Sequence, residues 1–387
     1  MAKILVVANA RSPLGATRGL AGLAGGHSVG WVSPHAGELP AEVPLYVPKS
    51  WARSSVIMRT LCMPFVLHNA LRSFQPDLIH VHYAFQGLMP FLLVRQKKPL
   101  VVTVMGGDVL PEQGCRFLYK YLTKQLLSRA DAVTSKTAFL DQAVRRLVPD
   151  VRRIVRISWG VNSAIFHAGR QVSTLREELR LPEAALVVFD PRAAQPLYNK
   201  HVIMMAFAKV RRERPELPLY LLASEFAADP AYLKRLKTLA QELQIADRVR
   251  FLPKLPPAGM ADCYNLAVAT VVVPSSEGFP QTLYEALACG SFLIHGDLPQ
   301  YQEAIDNGAV TGKVCLNDVD GLAGVLLDVV TNPRLRDGAV AAGLAYVKSF
   351  ADGAEEIRKI NALYADCIAH PRQNSLNRRS QSSRSGS

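Results

Sequence analysis

The sequence predicts an α/β protein of two doubly wound domains that face one another across a cleft. Three observations carry this. Short, continuously apolar runs alternate with helical patterns along the whole chain, the alternation occurs twice, and the charge changes character near residue 165. Runs that are apolar throughout, rather than every second residue, suit parallel strands covered on both faces. Strands alternating with helices imply Rossmann-like sheets.

In the first half the expected strands are KILVVAN, HSVGWVS, LIHVHYA, LVVTVMG, AVTSKT and RIVRISW. In the second they are LVVFDP, PLYLLAS, RVRFLP, ATVVVPS, SFLIHG and GKVCL. VIMMAFAKVRRE and DPAYLKRLKTLAQELQI read as helices between them, the latter opening with Asp229 as N-cap and Pro230 in the first turn. The expected division is a domain over 1–165, a second over 166–350, a helix over 351–370 packing back toward the first domain, and a tail over 371–387. That tail is rich in Ser and Arg with little to bury, which predicts disorder. The wider stretch from about 333 to 369 also reads as helical.

Residues 1–165 hold 20 Lys and Arg against 8 Asp and Glu, a net +12, whereas 166–370 come to −3 and the tail adds +4. A basic first domain suits phosphates, nucleic acid or an anionic membrane surface. No basic motif interleaved with aromatics supports nucleic acid, so none is expected as a partner. The uncharged run Leu78–Val94 is too short and polar to cross a bilayer. The opening MAKILVVAN reads as a first strand rather than a signal peptide. Six scattered Cys without a C-x-x-C suggest reduced thiols and a cytoplasmic location.

The stretch VVVPSSEGFPQTLYEALACGSFLI carries the chemistry. A strand leads to a glycine turn bearing Glu277, and a helix from Pro280 to Gly290 bears Glu285 on its second turn. Ligands of such sheets sit outside the carboxyl ends of the strands, and a helix N-terminus there favours an anion such as a diphosphate. Glu285 suits the hydroxyl pair of a ribose. Two unrelated acids on an exposed helix would give the same spacing.

This stretch resembles the E-x7-E signature of family 4 glycosyltransferases, retaining enzymes of the GT-B fold. Further segments are similar in the same order: SWGVNSAIFHAG to the domain linker, with Gly160, Val161 and Phe166 in place; HVIMMAFAKV to the helix after the donor-phosphate loop; PDLIHVHYA and VVTVMGGDVL to parts of the acceptor domain. The resemblance implies a retaining glycosyltransferase that moves a sugar from a nucleotide diphosphate sugar, its co-substrate, to a glycan or lipid-linked acceptor. It implies no metal and no cofactor. Glu277 would lie by the donor sugar and Glu285 on the ribose. Gly278, Phe279, Gln281 and Thr282 would cradle the diphosphate, since Pro280 has no N–H. Arg192 would meet the leaving diphosphate's charge.

The chain departs from the family at two places. Tyr198 and Asn199 fill the usual Lys-Gly positions, so Lys200 either substitutes as a phosphate ligand or is a surface residue at the helix start. In TVMGGD, Met105 fills the usual His position. Gly106 and Gly107 allow close approach to an acceptor, and Asp108 is either an acceptor-side catalytic group or a helix N-cap. His80 and His82 point the same way on one strand; one or both lie near the acceptor or are packed. NDVDG could offer Asp318 and Asp320 to a divalent metal, but it directly precedes an amphipathic helix, so an N-cap explains either Asp fully and no metal is expected there. A nucleotide-sugar epimerase or hydrolase, or a non-catalytic binding partner, are the alternative functions. Lys49–Phe74 reads either as an interfacial helix placing the protein at the inner face of the membrane or as a core helix.

Overall fold

The computed structural model describes residues 1–12, 15, 18–53, 55–84, 89–110, 117–278 and 281–371. The tail expectation therefore lies, beyond residue 371, outside the described residues. The chain forms two compact units, Met1–Trp159 joined by the segment from Glu355 onward, and Gly160–Ala354. The division falls at Trp159/Gly160 rather than at 165.

The first unit holds β1 (Lys3–Val7), β2 (Ser28–Val32), β3 (Leu45–Tyr46), β4 (Leu78–His82), β5 (Leu100–Thr103), β6 (Ala132–Ser135) and β7 (Ile154–Arg156). They make a sheet of order β3-β2-β1-β4-β5-β6-β7, parallel at every pairing. The second unit holds β8 (Leu186–Asp190), β9 (Leu219–Ser224), β10 (Val249–Leu252), β11 (Ala267–Val272), β12 (Phe292–Gly296) and β13 (Gly312–Val314). Its order is β10-β9-β8-β11-β12-β13, again parallel. Each apolar run named from the sequence contains a strand. The two-residue β3 went unread because it is too short to show a pattern.

Strand order reverses at β1/β4 in one unit and at β8/β11 in the other. These are the places where an α/β sheet opens a crevice at its carboxyl edge. Helices of eight residues or more are, in order, α1 (Val56–Phe74), α2 (Phe117–Arg129), α3 (Ala138–Leu147), α4 (Lys200–Glu213), α5 (Pro230–Glu242), α6 (Pro257–Leu266), α7 (Gln281–Ala288), α8 (Val319–Thr331), α9 (Pro333–Phe350) and α10 (Gly353–Ala369). Asp229 caps α5 by accepting from the Tyr232 N–H at 2.8 Å. Among the described residues no helix is long and apolar enough to cross a membrane.

Helix α10 completes the first unit. Ile360, Leu363, Tyr364 and Cys367 are buried with Ile4, Val6, Leu78 and Val101 of its sheet. The Tyr364 hydroxyl is 2.6 Å from His80 Nδ1, and His80 Nε2 is 2.7 Å from Thr103 Oγ1.

Gly160 and Val161 run beside the chain's return at Ala351–Gly353. The Val161 N–H donates to the Ala351 carbonyl at 2.8 Å, and the Gly353 N–H to the Val161 carbonyl at 3.2 Å. Gly160 adopts φ +53°, and a Cβ there would stand 2.6 Å from the Ala351 oxygen and 2.6 Å from the Gly353 nitrogen. Both neighbours are backbone and neither can swing aside. Gly160→Ala is therefore expected to cost about 2–4 kcal/mol, read as a lowered urea midpoint. An unchanged midpoint would show that the crossing relaxes freely.

Candidate functional site

The second unit gathers most of the expected donor residues at the β8/β11 switch. β8 ends at Asp190 and its loop carries Arg192; β11 is followed by Glu277 and Gly278, then α7 with Gln281, Thr282 and Glu285. The loops are tied together. Asn199 Nδ2 donates to the Val273 carbonyl at 2.9 Å and to Ser275 Oγ at 3.0 Å, and the Ser275 N–H donates to the Leu197 carbonyl at 2.9 Å. Arg192 crosses the same seam: its Nη2 donates to Glu277 Oε2 at 2.6 Å, and its guanidinium lies 4.5 Å from the Tyr198 ring centre. Burial opposes the Arg192 charge, but Glu277 and the surrounding tyrosines outweigh it and hold its pKa above the ordinary arginine value. Arg192 Nε and Thr282 Oγ1 are buried without a hydrogen-bond partner among the described residues.

Glu285 sits where α7 passes α6. The Tyr264 hydroxyl donates to its Oε2 at 2.9 Å. Burial, with Glu285 adding to it, pushes the Tyr264 phenol well above its ordinary value, so this phenol is a fixed neutral donor. Gln281 turns its amide to the Gly160 carbonyl, and Gln300 donates to the Glu277 backbone carbonyl. Phe279 and Pro280 lie outside the described residues.

Lys200 is not a surface residue, and that expectation is corrected. Its side chain is 1% exposed and its Nζ donates to Asp190 Oδ2 at 2.6 Å. Burial pushes the Asp190 carboxyl up and the Lys200 ammonium down, each against the pull of the other charge. Lys200 is the first residue of α4 and is buried there. A phosphate role for it would have to compete with this pair.

In the first unit, Asp108 turns inward. It is buried and bonds backward, Oδ1 accepting from the Met105 and Gly106 N–H groups at 3.0 Å each and Oδ2 from the Ala84 N–H at 2.6 Å. The carboxylate clasps the loop after β5 to the loop after β4. Gly106, at φ +112°, takes a conformation closed to other side chains, and Gly107 follows it in the turn. Met105 Sδ accepts from Arg18 Nη1 at 3.3 Å, and the buried Arg18 also lies 5.9 Å from the Trp159 ring centre.

His82, the last residue of β4, is a buried ring packed between His80 at 4.1 Å and Trp159 at 5.6 Å, centre to centre. Burial drives the pKa of His80 down to about 3 and that of His82 well below the ordinary value, so both are neutral. Among the described residues no group of three His, Cys, Asp or Glu could hold a metal. Asp318 caps α8 by accepting from the Gly321 N–H at 2.8 Å, and Asp320 pairs with Lys209 at 2.8 Å. Sequence reasoning missed Arg18, Tyr264 and Gln300, whose parts depend on contacts between distant elements.

Two family models match this chain: the glycosyl transferases group 1 model over residues 171–344 and the glycosyl transferase 4-like domain over residues 11–160. The chain belongs to the group 1 glycosyltransferases. A D-inositol 3-phosphate glycosyltransferase of Streptomyces scabiei is 28% identical over 290 residues, which is 71% of this chain and 64% of that protein. A sucrose-phosphate synthase from Thermosynechococcus elongatus is similar in structure, with a TM-score of 0.80 and 19% identity over 95% of this chain and 100% of that one. Anabaena HepE, solved with UDP and glucose, gives a TM-score of 0.75 at 16% identity over 95% and 100%. The last two likenesses establish the GT-B fold of this group 1 transferase.

Removing one member of a buried ion pair strands the other. Lys200→Met should lower stability by about 3–5 kcal/mol in urea, with much of the loss recovered by adding Asp190→Asn. Unchanged stability with lost nucleotide binding would instead give Lys200 to the phosphate.

Proposed function

We propose that this group 1 transferase moves a sugar from a nucleoside diphosphate sugar to a glycan or lipid-linked acceptor with retention of configuration. The observation that carries this is the Arg192–Glu277 pair at the β8/β11 switch, with Glu285 on the helix that follows. A diphosphate needs cationic and N–H donors, and Arg192 with the start of α7 supplies both. The unpartnered Arg192 Nε and Thr282 Oγ1 have bonding capacity for phosphate oxygens. Glu277 orients Arg192 and faces the donor sugar; Glu285, held by Tyr264, accepts from the ribose hydroxyls. The HepE structure with UDP and glucose adds support for such a donor.

In the transfer, the bond from the sugar's anomeric carbon to the diphosphate breaks and the acceptor oxygen bonds to that carbon on the same face. The acceptor's proton passes to the departing phosphate oxygen beside it. Arg192 meets the charge that grows on the diphosphate, so no metal is needed. Met105, Gly106 and Gly107, shaped by Asp108, form the acceptor side. A cytoplasmic protein at an anionic membrane surface fits the +12 charge of residues 1–165. The alternatives of an epimerase, a hydrolase or a non-catalytic partner gain no support from the likenesses above.

The test is a thermal-shift panel of UDP-, GDP- and ADP-sugars, since a ligand that binds only the folded state raises apparent stability. One nucleotide class should stabilise the protein. Glu285→Ala should weaken that binding by about 1.5–3 kcal/mol, with Glu285→Gln as the variant that retains an acceptor for Tyr264. No response to any nucleotide, or binding indifferent to Glu285, would overturn the reading.

Turnover should be the same with and without EDTA. Activity lost on chelation and restored by magnesium or manganese would overturn the metal-free mechanism.

A further inference from the structure

Helix α1 has two apolar faces. Met63, Leu67 and Ala70 face the core of the first unit. At 100° per residue, Ile57, Leu61 and Phe65 fall on the opposite side, and they are 71%, 49% and 77% exposed. Trp51, 60% exposed, sits on the single helical turn Ser50–Arg53 just before, and that turn packs on α1. An ordinary surface helix places polar residues on its outer side. A strip of aromatic and branched apolar side chains there marks an interaction surface. The helix therefore packs on the core with one side and keeps a second apolar face on the other.

The charge around the strip selects its partner. From Val43 to Pro76 the sequence has no Asp or Glu, and it carries Lys49, Arg53, Arg59 and Arg72. Apolar side chains with a tryptophan beside them, in a segment that is basic throughout, match the boundary between anionic headgroups and acyl chains. We propose that the outer face of α1 and the turn bearing Trp51 dock the first unit on an anionic lipid bilayer, with Ile57, Leu61 and Phe65 entering the acyl boundary. This rests on the anionic-surface reading above and deepens it, since attraction by charge becomes anchoring by an inserted face.

The protein carries its own reporter. Trp31 is fully buried and Trp159 nearly so, which leaves Trp51 as the exposed tryptophan. The full chain is titrated with phosphatidylcholine vesicles and with phosphatidylcholine–phosphatidylglycerol vesicles, at low and high salt. Tryptophan emission should shift to the blue on the anionic vesicles, and high salt should weaken binding without abolishing it. Ile57→Ser/Leu61→Ser/Phe65→Ser, which leaves the charge untouched, should bind at least about tenfold more weakly. Phe65→Ser alone should give part of that loss, and serves if the triple variant folds poorly. Nucleotide binding and melting temperature should stay those of the parent. Binding that is indifferent to these substitutions and wholly removed by salt overturns the inserted face but leaves the charge reading standing. Failure of the parent to bind anionic vesicles overturns both. A dimer in solution that the substitutions dissociate overturns the inference in favour of a second copy on this face.

Discussion

The second unit depends on one charged contact across a seam. β8 and β11 are neighbours in space but are separated in sequence by two strands and their helices. Their exit loops are brought to a common point by Arg192 and Glu277. A guanidinium placed there without its carboxylate would be a largely buried cation, and a carboxylate without its guanidinium a largely buried anion. Paired, they present a site close to neutral at rest whose cation is already oriented by Glu277 and by the ring of Tyr198. In the transfer proposed above, such pre-alignment would let charge be met as it develops, with little rearrangement of the protein.

The two units hold their strand-end loops in different ways. Beneath Arg192, the second unit buries a full ion pair, Asp190 with Lys200. At β4/β5, the first unit uses a single carboxylate, Asp108, satisfied by three backbone N–H groups. Both put an acid at the carboxyl edge of a sheet and turn it inward. Each acid thereby ties the end of a strand to the segment beside it.

The strands and the order of helices were legible because continuous apolar runs and helix caps are local signals, as Asp229 and Asp318 show. The placement of Glu277 on a turn after a strand, and of Glu285 on the helix that follows, was legible for the same reason, since strand, turn and helix follow one another within a few residues. The environments of Lys200, Asp108 and His82 were not. Whether a lysine at a helix start faces water or an aspartate ten residues earlier depends on how deeply the β8 loop is covered, and no local pattern states that. Tyr264 reaches Glu285 from another helix, and Arg18 reaches Met105 from far along the chain. Such contacts arise only when the sheets close. The two-faced character of α1 was half legible: the composition was plain, but which side met the core was not.

The place of α10 has a consequence for how the chain is made. Its residues Ile360, Leu363 and Tyr364 are interior parts of the first unit, and Tyr364 supplies the partner of His80. The first unit is therefore incomplete until the chain has been made through Cys367. The second unit, Gly160–Ala354, has all its strands in one uninterrupted segment. Domains usually form in the order of their synthesis; here the connectivity leaves the amino-terminal sheet without α10 until after every strand of the second unit has been made.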